Sequence, residues 1–70
     1  MNYSRAAARL RRLGCLELPR RSGGSHRKWS NPATGGITVL PDWGPKDLKL
    51  GTLRAAVRDL GIDWETWVNA

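Results

Sequence analysis

The chain lacks several features on which catalytic and structural sites commonly depend. It has one cysteine and one histidine among 70 residues, so it can form neither an internal disulfide nor a metal site of cysteine and histidine ligands. Its six carboxylates are scattered, with no tight pair before the last segment. No apolar run approaches the ~20 residues of a transmembrane helix. We therefore expect no metal, no cofactor and no membrane partner, and a hydrolase built on paired acids is disfavoured.

Positive charge is what the chain has in excess. Twelve lysines and arginines against six acids give a net charge of +6 and a pI near 10.8. Such a balance predicts an anionic partner, of which nucleic acid is one class. A chain of 70 residues forms one small domain with a thin core, so any site must lie on the elements that build that core. The lone cysteine is typical of a reducing compartment and predicts a cytoplasmic protein.

The hydrophobic pattern predicts a helix, three strands and a second helix, in that order. Ser4 is a suitable N-cap for the first helix. Although Met1–Arg12 has the arginine and alanine content of a transit peptide, we interpret it as part of the fold, since so small a chain has few elements. The predicted ranges are Arg5–Leu13 for the first helix, Cys15–Arg21, His26–Ser30 and Ile37–Leu40 for the strands, and Leu50–Leu60 for the second helix.

These elements predict an α+β fold, an α-β-β-β-α sandwich with two helices on one face of a three-stranded antiparallel sheet. Pro19 predicts that the first strand lies at a sheet edge or starts late, and Asp63 is expected to cap a short helical extension over residues 63–70. Double-stranded-RNA-binding domains share this arrangement, with the other sheet face open for function. The predicted buried stripe of the second helix is Leu50, Leu53, Val57 and Leu60.

The histidine follows a glycine-rich turn, Ser22-Gly23-Gly24-Ser25, and opens the second strand. An unperturbed imidazole titrates near pH ~6.5, so His26 is the side chain best suited to proton transfer in the cell. Strand alternation places His26, Lys28 and Ser30 on one face and Arg27 and Trp29 on the other. From position alone, a histidine beside a tight turn is more often an ordinary surface residue, so both interpretations stay open.

Other conspicuous residues have plainer structural interpretations. Cys15 is expected to be a small buried hydrophobe, because no base accompanies it. Ser25 is a better candidate for a turn-capping hydroxyl than for a nucleophile, since no triad partners exist. Trp64 and Trp67 are expected to cover the thin core rather than to stack on bases.

Two motifs are distinctive: Gly24-Ser25-His26 with Trp29 and Asn31-Pro32, and Lys46-Asp47-Leu48-Lys49-Leu50-Gly51-Thr52-Leu53-Arg54 before Leu60-Gly61-Ile62. Together they resemble the HicA-type toxins, and the likeness extends from Ser4 to about Ile62. They depart from the family at Lys28, where an apolar or aromatic residue is common, and at Asp42-Trp43, where basic or histidine residues commonly follow the proline. The segment Asp63–Ala70 lies outside the pattern.

The resemblance implies a small mRNA-cleaving toxin of a two-gene toxin–antitoxin module, with residues 1–70 as one HicA-like domain. It implies that His26 is catalytic and that a HicB-like antitoxin binds and hides its face. RNA cleavage chemistry then suggests a metal-independent endoribonuclease in which His26 acts on the 2′-hydroxyl; a non-catalytic basic RNA-binding module is the alternative. The second acid–base group and the oligomeric state stay open. Candidate RNA and phosphate contacts are Gly24, Ser25, Arg27, Lys28, Lys46 and Lys49.

Overall fold

The computed structural model describes residues 1–20 and 24–70, and its elements follow the predicted order. The three strands form one antiparallel sheet in the order β1-β2-β3. This confirms the α+β class with an open three-stranded antiparallel sheet. Arg21, Ser22 and Gly23, which end the predicted first strand and begin the predicted turn, lie outside the described residues. The elements are α1 (Tyr3–Arg12), β1 (Leu16–Glu17), β2 (His26–Asn31), β3 (Gly36–Pro41), α2 (Leu50–Asp59) and α3 (Trp64–Val68).

The core lies between the helices and one face of the sheet. Burial alternates along β2 and β3, so Trp29 and Leu40 are buried while Lys28 and Val39 are exposed. Such alternation is typical of a sheet with one covered face. Trp29 is fully buried and its indole Nε1 donates a hydrogen bond to the Tyr3 hydroxyl at 3.1 Å. The helices contribute Ala6, Ala7, Leu10, Leu53, Ala56, Val57 and Trp67 to this core.

Helix α1 begins earlier than predicted, and the prediction of Ser4 as its cap was wrong. The side chain of Asn2 is the cap, accepting a hydrogen bond from the Arg5 N–H at 3.0 Å. Both residue types cap helices well. The earlier start is favoured because it places Tyr3 on the buried stripe with Ala6, Ala7 and Leu10, at the i, i+3, i+4, i+7 spacing of one helix face.

The length of the first strand and the burial of Leu50 differ from the prediction, whereas α2 starts at Leu50 as predicted. β1 contains only Leu16–Glu17, although it lies at a sheet edge as Pro19 indicated. Leu50 is 59% exposed rather than buried. Residues 49–51 are all exposed, so α2 meets the core only beyond them, and Ala56 completes its buried stripe instead.

The end of α2 is held against the turn between β2 and β3. The Asn31 amide and the Thr34 hydroxyl each donate a hydrogen bond to the Leu60 carbonyl at 2.8 Å. Gly61 adopts φ +69° and ends the helix as predicted, with its N–H donating to the Arg58 carbonyl at 2.9 Å. The Asn31 and Thr34 side chains therefore satisfy the Leu60 carbonyl, which the helix itself leaves unpaired.

The tryptophan-rich end covers the core, as the sequence predicted. Trp67 is buried, and Trp64 packs against the core from a half-buried position. The Arg9 guanidinium lies 5.1 Å from the centre of the Trp67 ring and donates to the Trp67 carbonyl at 3.2 Å. Asp63 stands at the N-cap position of α3, but its side chain makes no capping hydrogen bond. In the described ranges, no helix is long and apolar enough to cross a membrane.

Candidate functional site

His26 lies exposed at one end of the open sheet face. It is the first residue of β2 and pairs with Pro41, the last residue of β3. The Asp42 N–H donates to the Ser25 carbonyl at 2.6 Å, which continues the β2–β3 pairing one step beyond His26. The side chain of His26 is therefore exposed, while backbone hydrogen bonds before and after it hold its position in the sheet. Gly24 and Ser25, immediately before it, are also exposed.

Lys28 shares the open face with His26. Both residues are exposed, whereas Arg27 between them is half-buried, so the predicted alternation is confirmed. Two strand positions separate the residues, which corresponds to roughly 6–7 Å along the strand. A lysine side chain can bridge that distance, so an anion held by Lys28 can lie beside the imidazole.

An apolar row crosses the same face, and sequence reasoning missed it. Leu16, Ile37 and Val39 are each at least half exposed, at 56%, 52% and 50%. Leu16 and Ile37 lie on either side of Ser30 in the sheet, and Val39 pairs with Lys28. The signal that could have identified the row is the alternation of β3, in which Ile37 and Val39 fall on one face and Thr38 and Leu40 on the other.

Arg27 lies on the opposite face, so the structure does not bring it to His26. Its guanidinium donates to Glu17 at 3.2 Å and to Asp42 at 3.0 Å, and it lies 5.6 Å from the centre of the Tyr3 ring. The hydrogen bond to Glu17 raises the pKa of Arg27, so the group stays charged. Its Nη1 and Nη2 donate to carboxylates and its Nε is buried without a partner among the described residues, so Arg27 offers no donor to a phosphate on the open face.

Tyr3 belongs to the same polar network. Its hydroxyl accepts the Trp29 hydrogen bond and lies 3.5 Å from Glu17. Burial raises the pKa of Tyr3, so the hydroxyl stays protonated at neutral pH. The network joins α1 to β1 and β2 beneath the sheet rather than at the open face.

Asp42, one of the departures from the family pattern, fastens the loop that follows β3. One carboxylate oxygen accepts from Arg27, and the other accepts from the Gly44 N–H at 3.0 Å. Gly44 has φ +63°, a conformation that glycine adopts at little cost. Asp42 thereby orders the loop in which Trp43 stands.

Lys46 and Lys49 lie in that loop and share one groove. The groove has a volume of about 670 Å³ and is lined by Trp43, Lys46, Asp47 and Lys49. Both lysines are exposed. The loop follows Pro41, which pairs with His26, so the start of the loop lies at the same end of the sheet as the histidine.

The remaining chemistry-bearing side chains form no further centre. Within residues 1–20 and 24–70, no group of three or more histidine, cysteine or acidic residues could hold a metal ion. Cys15 is buried, as predicted, and burial raises the pKa of its thiol. Its sulfur is therefore a poor nucleophile.

The sequence matches a known protein family over most of its length. The family model described as the HicA toxin of bacterial toxin–antitoxin matches residues 3–62. The matched segment contains the His26 turn and the run from Lys46 to Arg54, and it ends before α3. Searches of the curated proteins and of the solved structures found no match.

Proposed function

The chain belongs to the HicA family of toxins of bacterial toxin–antitoxin systems, and we propose that it is the toxin of a type II module and cleaves mRNA. HicA toxins are in general mRNA interferases. The observation that carries the proposal for this chain is the exposure of His26 at the end of an open sheet face, beside Lys28 and within the matched segment.

The proposed reaction uses the nucleophile that RNA itself supplies. His26 takes the proton of a ribose 2′-hydroxyl, the 2′-oxygen attacks the adjacent phosphorus, and the bond from phosphorus to the 5′-oxygen breaks. The leaving 5′-oxygen takes up a proton from a lysine, Ser25, water or the histidine of a second copy. The products are a 2′,3′-cyclic phosphate and a 5′-hydroxyl. The step requires no metal ion, and DNA, which lacks the 2′-hydroxyl, should survive.

The cations near His26 supply the second requirement, which is stabilisation of charge on the phosphate. Lys28 is best placed, because it shares the face and lies two residues along the same strand. The backbone of Gly24 and Ser25 can approach the chain of phosphates from the other side. Lys46 and Lys49 would act further along the bound RNA, from the groove after β3.

The open face also fits a protein partner, which we propose is a HicB-like antitoxin. Leu16, Ile37 and Val39 form an apolar row next to Lys28, and exposed apolar surface of this kind is typical of protein interfaces. A protein that buries this row would cover Lys28 and close the approach of RNA to His26. Inhibition would then be steric.

Expression of the chain alone is expected to arrest bacterial growth and deplete mRNA, and co-expression of a small protein encoded in the neighbouring reading frame is expected to restore growth.

The Ile37→Ser variant should stay toxic and be neutralised less well, because it removes half-exposed apolar surface from the open face. Val68→Ser is the matched control, since Val68 is equally exposed, at 52%, but lies on α3. Growth and mRNA levels unaffected by the chain alone would contradict the proposal.

A further inference from the structure

Unlike the other three tryptophans of the chain, Trp43 does not pack in or against the hydrophobic core. Trp29 and Trp67 are buried, at 0% and 2% exposure, and Trp64 packs half-buried against the core. Trp43 is 39% exposed and stands in the loop after β3. Its indole is therefore open to contact with a ligand, and an indole offers both an apolar face and a hydrogen-bond donor.

The loop holds Trp43 in a defined place. On one side, Asp42 is tied to Arg27 at 3.0 Å and to the Gly44 N–H at 3.0 Å. On the other side, the Lys46 N–H donates to the Trp43 carbonyl at 3.3 Å, and the Leu48 N–H donates to the Met1 carbonyl at 2.8 Å. The backbone that carries the indole is thus fastened before the ligand arrives, which reduces the entropy lost on binding.

The groove beside Trp43 is cationic and aromatic at once. Lys46 and Lys49 line it with the indole in a volume of about 670 Å³. The one acid of the lining, Asp47, lies 3.5 Å from the amino group of Met1, which offsets its charge. A flat aromatic surface with two lysines complements a ligand that has both a π face and negative charge, as a nucleotide has.

The loop that carries the groove starts next to His26. Pro41 pairs with His26, and Trp43 follows Pro41 by two residues. The Asp42 N–H bonds to the Ser25 carbonyl, so the start of the loop and the turn before His26 are joined. An RNA strand whose phosphate lies at His26 therefore passes close to the start of the loop that carries Trp43.

We propose that Trp43 is the stacking platform of a nucleobase subsite, in which an unpaired base of the RNA lies against the indole while Lys46 and Lys49 hold the neighbouring phosphates. The inference rests on the proposed function, because that function makes single-stranded RNA the ligand. Stacking tolerates any base, so the subsite selects unpaired RNA over duplex rather than one sequence.

The test measures binding of short single-stranded RNA carrying 2′-O-methyl groups, which no 2′-hydroxyl mechanism can cleave. Trp43→Ala is expected to raise the dissociation constant about 5- to 100-fold, the range for loss of one stacked base. Trp43→Phe keeps an aromatic face and should stay within about threefold of the original chain. An RNA with one abasic position in the subsite should bind the original chain and the Trp43→Ala variant equally, because the stacked base is already missing.

The outcomes separate this inference from the proposed function. Weakened binding by Trp43→Ala with intact RNA, and not with abasic RNA, supports the subsite even if the chain never cuts RNA. Cleavage by the original chain with unchanged RNA affinity in Trp43→Ala overturns the subsite and leaves the nuclease standing. An equal loss with intact and abasic RNA also overturns it, as does a Trp43→Ala variant that loses only a protein partner.

Discussion

Replacement of His26 by alanine is expected to abolish RNA cleavage while the fold and RNA binding persist. General acid–base catalysis contributes about 10²–10⁴-fold to rate, and the chain contains no second histidine to replace the lost imidazole. The cations that bind RNA in the proposed site, Lys28, Lys46 and Lys49, are untouched. Since His26 is exposed, the substitution should change the free energy of unfolding by no more than about 0.5 kcal/mol.

The experiment compares three properties of the two proteins: cleavage of a labelled oligoribonucleotide, binding of the 2′-O-methyl form, and thermal unfolding. Lys28→Ala is the matched control on the same strand face, because it should weaken RNA binding and slow cleavage without abolishing proton transfer. A His26→Ala variant that cuts RNA at the original rate would rule out the proposed role. An original chain that binds pure RNA and never cuts it would favour the binding-module alternative.

Replacement of Trp29 by alanine is expected to be the most damaging single change to stability. The side chain is fully buried and its indole donates to the Tyr3 hydroxyl. Truncating a buried aromatic residue typically costs about 3–5 kcal/mol, and small domains often have only about 5 kcal/mol in total. The variant should therefore lose more than about 12 °C in melting temperature or fail to fold.

Trp43→Ala provides the matched control, because it removes the same side chain from an exposed loop position. We expect that change to cost less than about 1 kcal/mol. Circular dichroism melts of the two variants and the original chain make the comparison. Equal destabilisation by the two substitutions would contradict the burial of Trp29 and the exposure of Trp43.

The order of elements and the faces of β2 were predictable because they depend on local periodicity. Alternation alone placed His26 and Lys28 outward and Trp29 inward, and the structure agrees. Choices between near-equivalent local signals were less predictable. Asn2 and Ser4 both suit an N-cap, and the packing of Tyr3 decided between them. Leu50 fits the apolar spacing of α2, but it lies at the exposed start of the helix.

The parts of the site that depend on long-range contacts could not be predicted. Alternation placed Arg27 on the face opposite His26, but the carboxylates that engage it, Glu17 and Asp42, lie 10 and 15 positions away in the sequence and were not predicted. The same contact explains Asp42, whose departure from the family pattern is an anchor for the loop. The groove of Trp43, Lys46 and Lys49 likewise depends on how that loop closes after β3.

The most direct test of the central claim, that His26 cleaves RNA through the ribose 2′-hydroxyl, is the chemistry of the product ends. Purified protein would be incubated with pure RNA in the presence of a chelator, and the fragments analysed by mass spectrometry. The account predicts 2′,3′-cyclic phosphate and 5′-hydroxyl ends, and no cut where the attacking ribose is replaced by a 2′-deoxyribose. Fragments with 5′-phosphate ends, or cleavage at the deoxyribose position, would contradict it.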